Sequence, residues 1–279
     1  MHMGTYRPIA ERVMDFKPVE LRLGQDALGR ELQRCQDCGV PFCHAAGCPL
    51  GNAVPEINAR ALAGRWAAAL STLLDTSPFP EFTSRVCPAL CEGSCVQGLH
   101  EAAVPCRLAE YEVIERGFAM GLVQPKPPRQ RVGLSAAVIG SGPAGLAAAW
   151  QLNRAGVSVT VYEKDALAGG FLRYGIPDFK LEKAVIDRRI RLLEQEGIIF
   201  EYGVEAGKDV SDRFLRQRHD LIVLAVGARR KRDLVIPGRE LGGICFAVDY
   251  LAAQNRLNSR ELHALPPELD ARGKHVVVL

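Results

Sequence analysis

Seven of the nine cysteines in this chain fall into two short runs, and this clustering restricts what the chain can fold into more than any other feature. The first run holds Cys35, Cys38, Cys43 and Cys48, and the second holds Cys87, Cys91 and Cys95. In a reducing compartment thiols are not kept as structural disulfides, so clustered cysteines indicate metal or redox chemistry. The two runs therefore predict a metal centre to which both contribute.

The spacing of the thiols favours two [4Fe-4S] clusters. In bacterial ferredoxins the fourth cysteine of such a run precedes a proline and serves the other cluster. Here the first run has intervals of two, four and four residues and is followed by Pro49. We therefore assign one set of thiols to a first cluster and another to a second cluster that still lacks a ligand: Cys35, Cys38, Cys43 and Cys95 for the first, and Cys48, Cys87 and Cys91 for the second. Zinc is the alternative, although zinc ribbons favour two separated pairs of cysteines.

Helical spacing of apolar residues predicts short helices over 55–63 and 65–74, between the cysteine runs, and a longer helix over 106–118. Residues 121–133 are rich in proline and basic residues and have no pattern that would bury a face, which is typical of a linker.

A glycine loop follows the linker in the order strand, loop, helix, strand, with strands predicted over 135–139 and 157–163 and a helix over 145–155. The loop is Gly140-Ser-Gly142-Pro143-Ala144-Gly145. In this context the first glycine makes a tight turn, the second admits a pyrophosphate, and the third lets helix and strand pack closely. Glu163, at the end of the second strand, is placed to bind a ribose. FAD and NAD both satisfy the pattern, and a purely structural glycine turn is the alternative.

Further along the chain, helical spacing recurs over 182–197, and residues 220–227 and 275–279 have the composition of buried parallel strands. Cys245 stands alone in Gly-Gly-Ile-Cys-Phe and is predicted to be a free buried thiol.

Charge and hydropathy exclude several classes of function. The formal net charge is only +3 and no basic run is interleaved with aromatic residues, which argues against a nucleic-acid partner. No apolar run is long enough to span a bilayer, and the N-terminus lacks the pattern of a signal peptide. We therefore expect no membrane association and a cytoplasmic protein.

Taken together, the cysteine runs, the glycine loop, Gly169-Gly170 and the segment 174–183 closely resemble the small (beta) subunits of bacterial NADPH-dependent glutamate synthases. In that family a helical domain carries two [4Fe-4S] clusters and a second domain binds FAD. The resemblance implies that the loop residues named above lie under the FAD pyrophosphate, Glu163 at its ribose, Gly169 and Gly170 near the flavin, and Gly227 in a turn that touches FAD.

The same resemblance implies a ligand for the second cluster. Glu110 holds the position of the carboxylate or amide that completes this cluster in the family. Cys106, one helical turn earlier, is an alternative ligand, and a solvated surface carboxylate is the alternative interpretation of Glu110.

These observations predict an α + α/β fold: a helical double [4Fe-4S] cluster domain at 1–130, an incomplete Rossmann-like FAD-binding domain at 131–272, and at 273–279 the first strand of an NADPH-binding domain. Because the family continues beyond this point, the sequence is expected to be a fragment or a naturally shortened protein that has lost NADPH oxidation.

By resemblance, electrons pass from NADPH-reduced FAD through the two clusters to a large subunit that makes glutamate from glutamine and 2-oxoglutarate. No catalytic side chain is required, because the cofactors carry the chemistry. The alternatives are a related subunit of a ferredoxin:NADP transhydrogenase or of a dihydropyrimidine dehydrogenase type enzyme, and a cysteine-rich zinc module that only binds a partner.

Overall fold

A computed structural model describes residues 6–228 and 230–279, which divide into two compact units. The first unit contains the described residues up to Lys126 together with Phe179–Leu192, and the second contains the described residues of Pro127–Asp178 and Leu193–Leu279. The boundaries predicted at residues 130 and 272 stay predictions, and the structure adds that one later segment belongs with the first unit.

The first unit is helical. Its helices are α1 (Ile9–Arg12), α2 (Gln25–Gln33), α3 (Val54–Leu62), α4 (Trp66–Thr76), α5 (Pro80–Val86), α6 (Leu90–Gly93) and α7 (Cys106–Ala119). The predicted helices correspond to α3, α4 and α7. No helix was predicted where α5 lies; it begins at Pro80, and proline fits the first turn of a helix, where its missing N–H costs nothing.

Helices α3, α4 and α7 bury their apolar faces against one another. Leu73 of α4 and Val113 and Ile114 of α7 have no exposed surface, and Ile57 of α3 is 1% exposed. Burial of each such side chain contributes about 1.5–3 kcal/mol. Cys91 and Cys106 belong to the same core, so the helices place thiols inside it rather than on the surface.

Arginines of the segment Phe179–Leu192 bind carboxylates elsewhere in the first unit. Arg189 forms an ion pair with Glu81, whose side chain has no exposed surface. Arg188 donates two hydrogen bonds to Glu115 of α7, at 3.0 and 2.8 Å. Charged groups of this kind are rarely buried without a partner, which explains why the segment belongs with the first unit.

The second unit alternates strands and helices. Its strands are β1 (Ser135–Ile139), β2 (Ser158–Glu163), β3 (Ile199–Tyr202) and β4 (Leu221–Leu224), and its helices are α8 (Pro143–Arg154), α9 (Phe171–Tyr174), α11 (Asp212–Arg218) and α12 (Ala247–Asn258). Helix α10 (Lys183–Gln195) begins within the segment that belongs with the first unit. The predicted strands at 135–139 and 157–163 and the helix after the glycine loop are confirmed.

The four strands form one parallel sheet in the order β3-β2-β1-β4. Ile139, the last residue of β1, is in register with Tyr162 of β2 and with Leu224 of β4. Parallel strands end at the same edge of a sheet, so the residues that follow these strands lie side by side. This edge carries Gly140, Glu163 and Ala225.

The burial predicted for 220–227 is wrong. The strand forms and pairs with β1 in parallel, but Leu221 is 42% exposed and Leu224 is 75% exposed. The reason is that β4 lies at an edge of the sheet formed by the described residues.

The strand predicted at 275–279 is also absent. These residues pair with no strand in the part of the chain that the structure describes, and Val277 is 83% exposed. An apolar run becomes a strand only where a neighbouring strand accepts its backbone hydrogen bonds.

Within residues 6–228 and 230–279, no helix combines the length and the apolar composition needed to cross a membrane.

Candidate functional site

Four thiols of the first unit line a single cavity that is open to solvent, and they are Cys35, Cys38, Cys43 and Cys95. Three of these residues come from the first cysteine run and the fourth from the end of the second. Phe42 and Pro55 complete part of the wall. These are the four cysteines that the sequence assigns to one cluster, and the structure brings them together.

The two cysteine runs pack directly against each other. Cys43 begins a π-helical turn that ends at Gly47, and the N–H of Cys48 donates to the carbonyl of Cys43 at 2.9 Å. A Cβ at Gly47 would lie 2.8 Å from Cα of Cys91, closer than such atoms approach in proteins. Glycine is therefore required at this position for the first run to contact the second.

The surroundings of these thiols favour a bound cation. Burial, together with repulsion from the neighbouring Cys95 and Cys35 thiolates, raises the pKa of Cys43 to about 11. Metal binding reverses this balance, since a cation stabilises the thiolates and releases their protons. The chemistry of this donor set fits an iron–sulfur cluster.

A second group of polar side chains surrounds Cys91 in the core of the first unit. The thiols of Cys106 and Cys91 lie side by side, and their interaction lowers the pKa of Cys91 and, together with burial, raises that of Cys106. Glu110, one turn later on α7, acts on Cys91 by its charge. Both residues proposed to complete the second cluster therefore lie beside one of its thiols.

Glu110 is buried, which makes its interpretation as a solvated surface carboxylate wrong. It is 8% exposed, and Oε1 accepts a hydrogen bond from Nδ2 of Asn52 at 2.8 Å. The net pKa of Glu110 is raised to about 7, because burial raises it more than the hydrogen bond from Asn52 lowers it. A carboxylate in such a place is typical of a functional site.

The two remaining thiols of the proposed second set, Cys48 and Cys87, make no hydrogen bond to Cys91 in the part of the chain that the structure describes. Cys48 packs against the core that contains Cys91, and Sγ of Cys87 accepts a hydrogen bond from the N–H of Ala89 at 3.4 Å. The structure therefore joins Cys91 to Glu110 and Cys106 more clearly than it joins Cys91 to Cys48 or Cys87.

No three His, Cys, Asp or Glu side chains among the described residues are arranged to hold a single metal ion. A zinc ion would hold four thiolates at about 2.3 Å from one centre. In a four-iron cluster each thiolate binds a different iron, so the ligands stand further apart around a larger space. A cavity lined by four thiols is consistent with the second arrangement.

One further cysteine and one histidine belong to neither group of side chains. Cys245 is exposed, so the prediction that it is buried is wrong. His44, within the first run, contacts the carbonyl oxygen of Asn52 through Nδ1 at 2.9 Å, so that nitrogen is already used in the structure.

The glycine loop of the second unit is built by close backbone approach. Gly140 has a φ of +101°, and a Cβ there would lie 2.6 Å from the carbonyl oxygen of Ala225. A Cβ at Gly145 would lie 1.9 Å from the carbonyl oxygen of Gly140. The loop therefore folds tightly at its first and third glycines.

The middle of the loop faces open space. Gly142 is the N-cap of α8, Pro143 and Ala144 form its first turn, and nothing lies within 4 Å of a Cβ placed at Gly142. The free N–H groups and the dipole of a helix N-terminus favour an anion. This geometry fits a dinucleotide pyrophosphate.

Glu163 binds the glycine loop itself. Oε2 accepts hydrogen bonds from the N–H of Ser141 at 2.9 Å and from its hydroxyl at 2.5 Å, while Oε1 accepts one from the N–H of Asp165. The sequence predicts that Glu163 binds a ribose and does not predict its hydrogen bonds with Ser141. The only available signal was the serine between the first two glycines, and its partner depends on the fold.

Gly169 and Gly170 lie against the same loop. The N–H of Gly169 donates to Oγ of Ser141 at 3.0 Å. A Cβ at Gly170 would lie 2.9 Å from Cα of Gly142. Gly227 lies two residues after Ala225, the residue that contacts Gly140, and it has a φ of +69°. The structure therefore brings the predicted cofactor-binding segments of this unit to one edge of the sheet.

Two family sequence models match the chain. One, described as dihydropyrimidine dehydrogenase domain II, 4Fe-4S cluster, matches residues 12–120. The other, described as pyridine nucleotide-disulphide oxidoreductase, matches residues 134–279, which is more than half of the chain.

Curated relatives match nearly the whole chain. The chain is 46% identical over 277 residues to a glutamate synthase [NADPH] small chain of Mycobacterium tuberculosis, covering 98% of this chain and 56% of the relative. The corresponding small chain of Bacillus subtilis is 44% identical over 276 residues, covering 96% and 56%. Glutamate synthase [NADH] of Saccharomyces cerevisiae is 44% identical over 277 residues, covering 99% of this chain and 13% of the relative. The chain thus spans about half the length of the bacterial relatives it matches.

Among solved structures, FprA from Mycobacterium tuberculosis aligns with 47% of this chain and 29% of its own, at 30% identity and a TM-score of 0.40.

Proposed function

This chain belongs to the pyridine nucleotide-disulphide oxidoreductase family and is related to glutamate synthase small chains, and we propose that it is an electron-transfer subunit of a glutamate synthase. The cavity lined by four thiols from two cysteine runs carries this proposal, since it fits a cluster rather than a single ion. The electrons come from NADPH through FAD, and they leave through the clusters.

The first unit holds two [4Fe-4S] clusters in this proposal. Cys35, Cys38, Cys43 and Cys95 bind the first, while the second is bound by Cys48, Cys87, Cys91 and a fourth ligand that we assign to Glu110. Apolar side chains of α3, α4 and α7 surround Cys91 and keep water away from it. Burial and hydrogen bonds to the thiolates are the means by which this chain sets the reduction potential of a cluster.

The second unit holds FAD. The N-terminus of α8 and the open space at Gly142 accommodate the pyrophosphate. Glu163 and Ser141 fix the conformation of the glycine loop, and Gly170 lets the neighbouring backbone approach it. When bound, a flavin exchanges electron pairs with a nicotinamide and single electrons with iron–sulfur clusters. The role of the chain is to position and insulate these groups.

The partner in this proposal is the large subunit of glutamate synthase, in the cytoplasm, where glutamine and 2-oxoglutarate become glutamate. The names of the relatives from Mycobacterium tuberculosis and Bacillus subtilis, each a small chain, support a separate large chain.

Anaerobic purification followed by iron, sulfide and flavin analysis tests the proposal. We expect a brown protein whose iron and sulfide contents correspond to two [4Fe-4S] clusters, together with bound FAD. The variant Cys95→Ser should lose the first cluster and keep the second, as measured by iron content and by the EPR spectrum of the reduced protein.

Cys245→Ser is the matched control, because this thiol is exposed and belongs to the second unit, whereas both cysteine runs belong to the first. It should keep the full iron content. A colourless protein that contains zinc would contradict the proposal, and so would an equal loss of iron in the two variants.

A further inference from the structure

Asn52 is a buried amide whose two ends are both hydrogen-bonded, although it lies in a loop. It closes the sequence Cys48-Pro-Leu-Gly-Asn52 and is 2% exposed. Its Oδ1 accepts a hydrogen bond from the hydroxyl of Thr76, at the end of α4, at 2.7 Å. Its Nδ2 donates to Oε1 of Glu110, on α7, at 2.8 Å. The amide therefore connects the first cysteine run to two helices.

The hydroxyl of Thr76 sets the orientation of this amide. By occupying the carbonyl end it leaves the NH₂ group facing the carboxyl of Glu110. The reverse orientation would place the amide oxygen against a carboxylate oxygen, and two acceptors repel each other. The backbone of Asn52 is also held, because its carbonyl accepts hydrogen bonds from Val54 N–H at 2.7 Å and contacts His44.

The hydrogen bond from Asn52 occupies one carboxyl oxygen of Glu110, Oε1, and leaves the other oxygen, Oε2, available to a metal. Oε2 of Glu110 makes no hydrogen bond within residues 6–228 and 230–279. The rival ligand Cys106 has its S–H directed to the carbonyl of Val104 at 3.3 Å. Of the two candidates beside Cys91, Glu110 therefore presents the free donor atom.

We propose that Asn52, oriented by Thr76, is a positioning residue that holds Oε1 of Glu110 so that Oε2 binds iron of the second cluster. This inference rests on the proposed function, because it takes Glu110 as a cluster ligand. Groups that hydrogen-bond to a metal ligand fix its orientation, and their loss typically lowers metal affinity roughly 10- to 100-fold.

The test uses the anaerobically purified full-length holoprotein with each cluster followed by its EPR signal. The readouts are the reduction potential of each cluster and the rate at which a ferrous chelator removes its iron. Asn52→Asp keeps the shape of the side chain and its acceptor for Thr76 but removes the donor to Glu110. We expect iron loss from the second cluster to become roughly 10- to 100-fold faster and its potential to shift, with the first cluster unchanged.

Two further variants separate positioning from packing. Thr76→Val leaves Asn52 in place and removes only the bond that orients it, so a smaller change in the same direction is expected. The double variant Asn52→Asp with Glu110→Gln exchanges donor and acceptor across the same contact and should recover most of the stability of the second cluster. Gln124→Ala, which removes a surface amide bonded to a backbone carbonyl, is the matched control and should leave both clusters unchanged.

The outcomes separate this inference from the proposed function. A holoprotein without iron–sulfur clusters would contradict the proposed function, and an unaltered second cluster in Glu110→Gln would contradict the assignment of that ligand. If Glu110→Gln changes the second cluster while Asn52→Asp and Thr76→Val do not, the positioning role is overturned. Failure of the exchange variant to recover, with Asn52→Asp impaired, would assign Asn52 to packing.

Discussion

Single residues of the glycine loop differ sharply in the space around them. A Cβ at Gly145 would overlap the carbonyl oxygen of Gly140, whereas a Cβ at Gly142 would meet nothing. The φ of Gly142 is −64°, a value that any L-residue adopts. Glycine at position 145 is therefore required by the fold of the loop, and glycine at position 142 by whatever occupies the open space in front of it.

This difference predicts opposite effects for two otherwise identical substitutions. Gly145→Ala should destabilise the second unit by about 1–3 kcal/mol, because the extra carbon forces the backbone apart. Gly142→Ala should keep the stability of the flavin-free protein but reduce FAD content, since its methyl group enters the space assigned to the pyrophosphate. Urea denaturation of the flavin-free protein and flavin analysis after purification measure the two effects.

The assignment of the pyrophosphate to this space fails if Gly142→Ala retains the same FAD content and affinity as the parent protein. Loss of stability in Gly142→Ala equal to that in Gly145→Ala would contradict the structural distinction between the two glycines.

At the scale of elements, helix α7 connects the candidate metal site to the segment Phe179–Leu192, which supplies Arg188. One face carries Cys106 and Glu110 beside Cys91, and a later turn carries Glu115. Arg188 binds Glu115 through two hydrogen bonds, and Arg85 lies 3.1 Å from the same carboxylate. One helix thus fixes both a candidate ligand and a three-residue ionic network.

The pKa of Glu115 gives a prediction about pH. Burial tends to raise this pKa, but the hydrogen bonds from Arg188 and the charge of Arg85 outweigh burial, and the net pKa lies below its usual value. A carboxylate with a depressed folded pKa stabilises the protein above its unfolded pKa, about 4.3, and this stabilisation is lost as pH falls through the folded pKa.

Glu115→Gln should therefore lower the free energy of unfolding by about 2 kcal/mol at pH 7, the size of a hydrogen-bonded charged contact. The difference from the parent protein should shrink as the pH falls below about 4. Urea denaturation across this range, followed by circular dichroism, measures it. A difference that is constant with pH would show that the charge of Glu115 does not contribute.

At the scale of the whole chain, the first unit is discontinuous in sequence. Phe179–Leu192 belongs with it and supplies Arg189, whose side chain is 5% exposed, to the fully buried Glu81. Removing one partner of a buried ion pair costs about 3–5 kcal/mol, because the remaining charge is left without compensation. A cut at the linker would therefore not release a stable first unit.

We expect a polypeptide of residues 1–126 to be much less stable than the same unit in the full chain and to retain less iron after anaerobic purification. In this fragment Glu81 lacks Arg189, and Glu115 lacks Arg188 but keeps Arg85. Adding Glu81→Gln to the fragment should recover part of the stability, because a neutral amide tolerates burial better than an unpaired carboxylate. A fragment as stable and as rich in iron as the full chain would contradict the role of Phe179–Leu192.

Local patterns in the sequence determined the elements and the identity of the chemistry. The strand at 135–139, the helix after the glycine loop and the helix from Cys106 depend on the periodicity of neighbouring side chains, which needs no knowledge of the fold. The two cysteine runs and the glycine fingerprint likewise carry their meaning in short spacings. These features were enough to predict the α + α/β fold, iron–sulfur clusters and a bound dinucleotide, whereas the choice of FAD came from the family resemblance.

Only the tertiary structure decided which residues meet. The bond from Ser141 to Glu163, the place of Asn52 between Thr76 and Glu110, and the exposure of Leu224 each depend on distant parts of the chain. The strand predicted at 275–279 failed for the same reason, since an apolar run describes a side-chain preference but supplies no partner for its backbone. Periodicity is a local property, whereas burial and hydrogen bonding belong to pairs of segments that folding alone brings together.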